Sequence, residues 1–355
     1  MTPEMLSLSN SPGIFIGIML LKILVVFTVV MLSVAYATWW ERKIIGHMQT
    51  RLGPMRTGWH GLLQPFADGI KLFFKEDIVP TEATKVPFLL APMMILVPAL
   101  ITVAVIPFGP DIKLFGYIIP QQISDLNIGV LYILAFAGLG IYGIVLAGWA
   151  SNSKYSLLGG IRASAQMISY ELAAGLTIVA VFMLSETLSL REIVALQQQD
   201  LWGVCTFMPN WYIFTQPLAF GLFLVTGLAE INRTPFDMPE AESELVSGFC
   251  TEYSSMKYAL FFLAEYANMI VIAAITATLF LGGWSAPFKI GILQSIPGFV
   301  WLLLKIYALM FFFMWLRATF PRVRYDQLMR MGWKVLLPLA LANVVITGLV
   351  VVVLQ

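Results

Sequence analysis

Little in this 355-residue sequence can hold a redox centre. It has two cysteines, Cys205 and Cys250, far apart and without a CxxC pair, so a metal or iron–sulfur site within the chain is not expected. It has two histidines, His47 and His60, too few for a haem-binding bundle with several bis-histidine sites, and their places suit an interface better than a metal. Charge is scarce too, at 12% of residues with a formal net of +1, so there is no polyelectrolyte surface for nucleic acid. No repeat of 20–50 residues and no inverted repeat is visible. The first apolar run, 14–36, is too long for a signal-peptide core and no small-residue cleavage site follows it.

Apolar sequence is abundant instead. Hydrophobic residues make up 59% of the chain, and the mean hydropathy is +0.85. Length alone would allow two soluble domains, but apolar runs of about 20 residues specify an all-α, polytopic membrane protein in a single membrane domain. Eight spans are expected, at 14–36, 86–107, 128–149, 166–184, 212–229, 258–281, 299–317 and 335–354. The loops after odd-numbered spans hold 16 Lys and Arg residues, and those after even-numbered spans hold 3. By the positive-inside rule the odd loops face the cytoplasm and both termini face outside, on the periplasmic side of an inner membrane.

Two cytoplasmic segments are longer than a turn requires. In 38–85, Trp39 and Trp40 suit a membrane interface. Apolar residues at 59, 62, 63, 66, 70, 73 and 74 have helical spacing, which predicts an amphipathic surface helix starting near Trp59. Asp68 and Lys71, three apart, are spaced to pair. Glu41 and Arg42 could line a site at the end of the first span, although the plainer account is a stop-transfer charge cluster.

The second segment, 230–257, runs on to Glu265 in the sixth span. Between Glu230 and Glu265 lie seven of the chain's 20 acidic residues: Glu230, Asp237, Glu240, Glu242, Glu244, Glu252 and Glu265. Lipid does not tolerate such a stretch unless protein shields it or it faces water. A carboxyl held in apolar surroundings beside another can exchange protons near neutral pH. Glu171, Glu230 and Glu265 are the acids at membrane depth. Glu240, Glu242 and Glu244 could equally be a solvated helix face, with Asp237 as N-cap and Pro239 in the first turn. On residues alone the chain is a membrane protein with a cytoplasm-facing acidic path and an interfacial helix.

The stretch EINRTPFDMPEAESELVSGF at 230–249, continued by TEYSSMKYALFFLAEY at 251–266, resembles the quinone-site membrane subunit family of the proton-pumping NADH:quinone oxidoreductase, respiratory complex I. Glu41-Arg42-Lys43 with RLGP at 51–54, ADGIKLFFKE at 67–76, the segment 149–171 and PRVRYD at 321–326 match the same family, so the likeness covers essentially the whole chain. It implies a narrow quinone chamber opening to lipid beside the first span and the surface helix, with Glu41, Arg42 and Asp68 lining or gating it. It also implies an acidic path through Glu171, Glu230, Glu240, Glu242, Glu244, Glu252 and Glu265 towards pumping subunits. Quinone would be the substrate. Flavin and iron–sulfur clusters would belong to the soluble partner subunits, and other membrane subunits would adjoin. Some members place a further acid in the third span, where 135–148 carries none. The equivalent membrane subunit of a related membrane-bound hydrogenase or other non-NADH dehydrogenase, or a stand-alone ion or proton transporter, is an alternative reading.

Overall fold

The structure is a computed structural model, and it describes residues 12–114, 117–201, 205–238 and 246–354. Helices dominate because the runs are long, apolar and free of turn-forming clusters. The main ones are α1 (Pro12–Met48), α2 (Gln64–Phe74), α3 (Lys85–Thr102), α4 (Gly129–Ala150), α5 (Lys154–Ser185), α6 (Leu190–Gln197), α7 (Pro217–Glu230), α8 (Ser255–Phe280), α9 (Gly298–Thr319), α10 (Tyr325–Met331) and α11 (Leu337–Leu354). A π-helical turn, Gly332–Leu336, joins α10 to α11. Two small antiparallel hairpins occur in loops, Ile112–Leu114 with Tyr117–Ile119 and Asp200–Leu201 with Cys205–Pro209.

Among the described residues seven helices are long and apolar enough to cross a membrane. The fifth expected run, 212–229, is broken. A single turn, Tyr212–Thr215, is separated from α7 by Gln216 at φ −131° and ψ 55°, directly before Pro217. Proline disfavours helical backbone in the residue before it, and α7 is left with 14 residues.

Other boundaries shift because hydropathy marks where grease ends, not where helix ends. α1 continues past Tyr36 to Met48, since nothing between them breaks a helix, and the chain turns at Thr50 with φ 54°. α5 starts at Lys154, well before the expected span at 166. Its early polar face is buried against protein: Ser156 and Gln166 are inaccessible. Gly148 on α4 and Gly160 on α5 allow close approach there, and a Cβ at Gly159 would lie 2.7 Å from the Cα of Gly248. The surface helix starts at Gln64 rather than Trp59. Gly58, His60 and Gly61 take positive φ, and a Cβ at Gly61 would meet the Pro54 carbonyl at 2.3 Å.

α8 is the central post. Most of its residues from Ala264 to Phe280 are buried, and it packs against α1, α3 and α9. The loops divide between the two ends of the bundle. At one end Ser254 bonds to Ile78, Thr84 to Ala150, and Val323 to Pro235. At the other, Asp111 meets Arg191, and Pro110, Gln198, Pro209, Trp284 and Pro297 surround one cavity of about 470 Å³. α2 buries no residue. Phe66, Ile70, Phe73 and Phe74 are exposed, as suits a helix lying on lipid.

Candidate functional site

The site forms at the first of these ends, where α1, α7, α8 and α9 converge. Glu41 lies seven residues before the end of α1 and is only 2% exposed. Arg233, in the turn after α7, is equally enclosed at 3%. Its Nε donates to Glu265 on α8 at 2.6 Å and its Nη1 donates to Glu41. Arg317, near the end of α9, donates to the other Glu41 oxygen. Tyr266 donates its hydroxyl to Glu41 at 2.8 Å, and its ring lies 4.3 Å from the Arg233 guanidinium carbon.

Two carboxylates and two guanidiniums cancel, which is how the enclosed Glu41 and Arg233 keep their charges, with the half-buried Glu265 and Arg317 completing the balance. Burial opposes the charge on Arg233. Glu265, Tyr266 and Glu41 outweigh it and hold the guanidinium well above its ordinary pKa. Nη2 of Arg233 and Oδ1 of Asn232 are buried with no hydrogen-bond partner among the described residues.

Beside this cluster is a cavity of about 100 Å³ walled by α3, α4, α5, α7 and α8. Its walls are mostly apolar, and its polar lining includes Glu230, Asn232, Glu265 and Asn268. Glu230, the last residue of α7, therefore faces the same space as Glu265. Glu171 on α5 is half-buried and within electrostatic reach of Glu230. It lies against Gly138 of α4, where a Cβ would sit 3.0 Å from its Oε1. The third span carries no acid here, and at Gly138 it leaves room for one from its neighbour. Glu252 is half-buried in the turn before α8. Glu240, Glu242 and Glu244, with Pro239 of the expected helix start, lie outside the described residues. Asp237 is buried and accepts from Arg322 at 3.2 Å.

Glu41 and Arg42, adjacent in sequence, serve different surroundings. Glu41 turns into the cluster, whereas Arg42 turns towards α2 and pairs with Asp68 at 2.7 Å. Asp68 thus binds the end of α1 rather than Lys71. It also accepts from Gln64, which accepts from Thr57. Trp39 donates to the His60 carbonyl, and Tyr36 meets Phe66 edge-on, so the end of α1 is fastened along the surface helix.

Sequence reasoning assigned no role to Arg233, Arg317 or Tyr266. One signal was available: Arg233 is one of only two basic residues between Glu230 and Glu265, and a lone cation among buried acids is a pairing candidate. Among the described residues no group of three His, Cys, Asp or Glu could hold a metal.

The comparisons agree along nearly the entire chain. The NADH dehydrogenase family matches residues 21–348. The H-type NADH-quinone oxidoreductase subunit 1 of Geobacter sulfurreducens is 64% identical over 351 residues, covering 96% of this chain and 97% of that protein. The H-type subunit 2 of Geobacter metallireducens is 64% identical over 344 residues, covering 94% and 95%. The H-type subunit of Thermomicrobium roseum is 54% identical over 326 residues, covering 92% and 94%. With seven apolar helices and this likeness, the chain belongs to the NADH dehydrogenase family of multi-pass membrane proteins and is a membrane subunit of an NADH-quinone oxidoreductase.

Proposed function

We propose that this subunit forms one wall of a quinone chamber and couples quinone reduction to proton translocation through its acidic groups. The chamber side is the face where the end of α1 meets α2, with Arg42 and Asp68 paired there and Glu41, the next residue along α1, behind them in the ion cluster. The exposed apolar face of α2 gives a lipid-soluble molecule a way in from the membrane. Flavin and iron–sulfur clusters belong to the soluble partner subunits, and quinone is the substrate at their junction with this chain. Further membrane subunits receive the coupling. The acidic end faces the cytoplasm and both termini face outside, a reading supported by the distribution of basic residues.

The observation that carries the reading is continuity. Glu41 joins Arg233, Arg233 joins Glu265, and Glu265 shares a cavity with Glu230, which feels Glu171. A charge change at the Arg42–Asp68 pair is one residue from Glu41. From there it reaches the bundle through an ion cluster that cannot lose one charge without rebalancing the others. The cavity has room for about three waters, enough for Glu230 and Glu265 to exchange a proton across it. The segment carrying Glu240, Glu242, Glu244 and Glu252 supplies the further acids between that face and the bundle.

Glu230→Gln tests this in the assembled complex. NADH-driven charge translocation should fall well below wild type while the complex still assembles. Normal translocation by a fully assembled variant would remove Glu230 from the path.

A further inference from the structure

At the end of the bundle opposite the acidic cluster lies another buried cation. Lys305, on α9, is 6% exposed. Its ammonium donates to three carbonyls, Leu281 at 2.6 Å, Gly283 at 2.8 Å and Ser285 at 2.7 Å. It sits 4.2 Å from the centre of the Trp211 ring. An ammonium has three donors, and here all three are used on one strand of backbone. Among the described residues no carboxylate pairs with it.

That stretch is the turn directly after α8, beginning at its C-cap Leu281. A helix C-terminus carries the negative end of the dipole, so a cation is favoured there. The backbone is shaped to offer them. Gly282 and Gly283 have φ of 70° and 51°, and the Gly283 N–H returns to the Ala277 carbonyl at 2.8 Å. A Cβ on Gly282 would lie 2.4 Å from both Ser285 Oγ and Trp211 Nε1.

A second buried side chain ties the same turn to the entry of α7. Gln197 is inaccessible. It donates to the Thr278 carbonyl at 2.9 Å, and its Oε1 accepts from the Gly282 N–H at 2.9 Å and the Tyr212 N–H at 3.3 Å. Trp211 adds a bond to Ser285 Oγ at 3.0 Å. Trp211 and Tyr212 lead into the helix that carries Glu230, and Thr278 to Ser285 close the helix that carries Glu265. Ordinary helix packing needs neither a buried ammonium nor a buried amide here.

We propose that Lys305, with Gln197, is a positioning residue: it clamps the turn that leads into α7 to the turn that ends α8 and so sets the depth at which Glu230 and Glu265 face each other across their cavity. Glu265 lies about 20 Å from the clamp along α8, and Glu230 lies at the far end of α7, which starts at Pro217 directly after the clamped turn. The inference rests on the coupling reading of those two acids.

The test uses the intact complex in its own membrane, with Lys305→Met and, in parallel, Glu265→Gln. Two quantities are read: hydrogen exchange at the Leu281, Gly283 and Ser285 amides, and charge translocated per NADH oxidised. Lys305→Met is expected to raise exchange at those amides about tenfold or more and to lower the translocation ratio at least about twofold, with quinone reduction per assembled complex largely kept. Wild-type exchange, or a wild-type ratio, overturns the clamp. A drop in quinone reduction with the ratio preserved marks a merely structural residue and also overturns it. If Glu265→Gln pumps normally, the coupling reading fails by itself, and the exchange result still decides whether the clamp exists. Should Lys305→Met not assemble, Trp211→Leu removes the ring above the ammonium and leaves its three carbonyls. A rise in exchange at the same amides is then expected, and wild-type exchange overturns the inference.

Discussion

At the scale of single residues the balance of charge around Glu41 governs what substitutions do. Glu41→Gln leaves the buried Arg233 and the half-buried Arg317 with one carboxylate, Glu265. An uncompensated charge in such a place costs about 3–5 kcal/mol, so the variant should assemble poorly and inactivate at lower temperature. Adding Arg317→Gln restores neutrality, and the double variant should recover part of the loss in thermal midpoint. A double variant no better than Glu41→Gln would show that geometry, not charge count, holds the cluster. The acids themselves were legible, because carboxylates in apolar sequence are conspicuous. Their counter-ions were less so: Arg317 reads as one of many basic residues at the end of a span, and only folding brings it to Glu41, 276 positions away. Lys305 falls within the expected span 299–317, but its carbonyl partners belong to backbone, which a sequence never advertises.

At the scale of elements the backbone around α2 is the most constrained part of the site. Gly61 combines φ of 80° with a carbonyl where its Cβ would be. Gly61→Ala should strain that turn by about 1–3 kcal/mol, loosening the hold of 55–63 on the end of α1. Limited proteolysis of membranes should then cut between 49 and 63 faster than in wild type, with slower quinone reduction. Unchanged cleavage would argue that the turn relaxes freely. Helix existence was readable from apolar runs nearly everywhere, whereas helix ends were not. Hydropathy registers contact with lipid, and the buried serines and Gln166 of α5 face protein, so the pattern falls silent there although the helix continues. The break at Gln216 was signalled only by the proline after it.

At the scale of the whole molecule the partition of loops between two ends predicts accessibility. Thr81→Cys and Gln294→Cys, both at exposed positions on opposite ends, should react with a membrane-impermeant thiol reagent from opposite sides, Thr81→Cys from the cytoplasm. Labelling of both from one side would overturn the topology. Gentle extraction should bring the chain out with flavin- and iron–sulfur-containing partners. The length of α1 has a wider consequence. Its 37 residues make a rod of about 55 Å, against a hydrocarbon core of about 30 Å. A rod that overshoots its bilayer leans, and how far depends on bilayer thickness. Glu41 lies about 44 Å along it, so a lean of about 5° carries that carboxylate sideways by about 4 Å, more than the length of the bonds it makes. Acyl-chain length in the surrounding lipid is thereby a mechanical input to the ion cluster. Enzyme reconstituted into thin and thick bilayers should differ in turnover even when every subunit is the same.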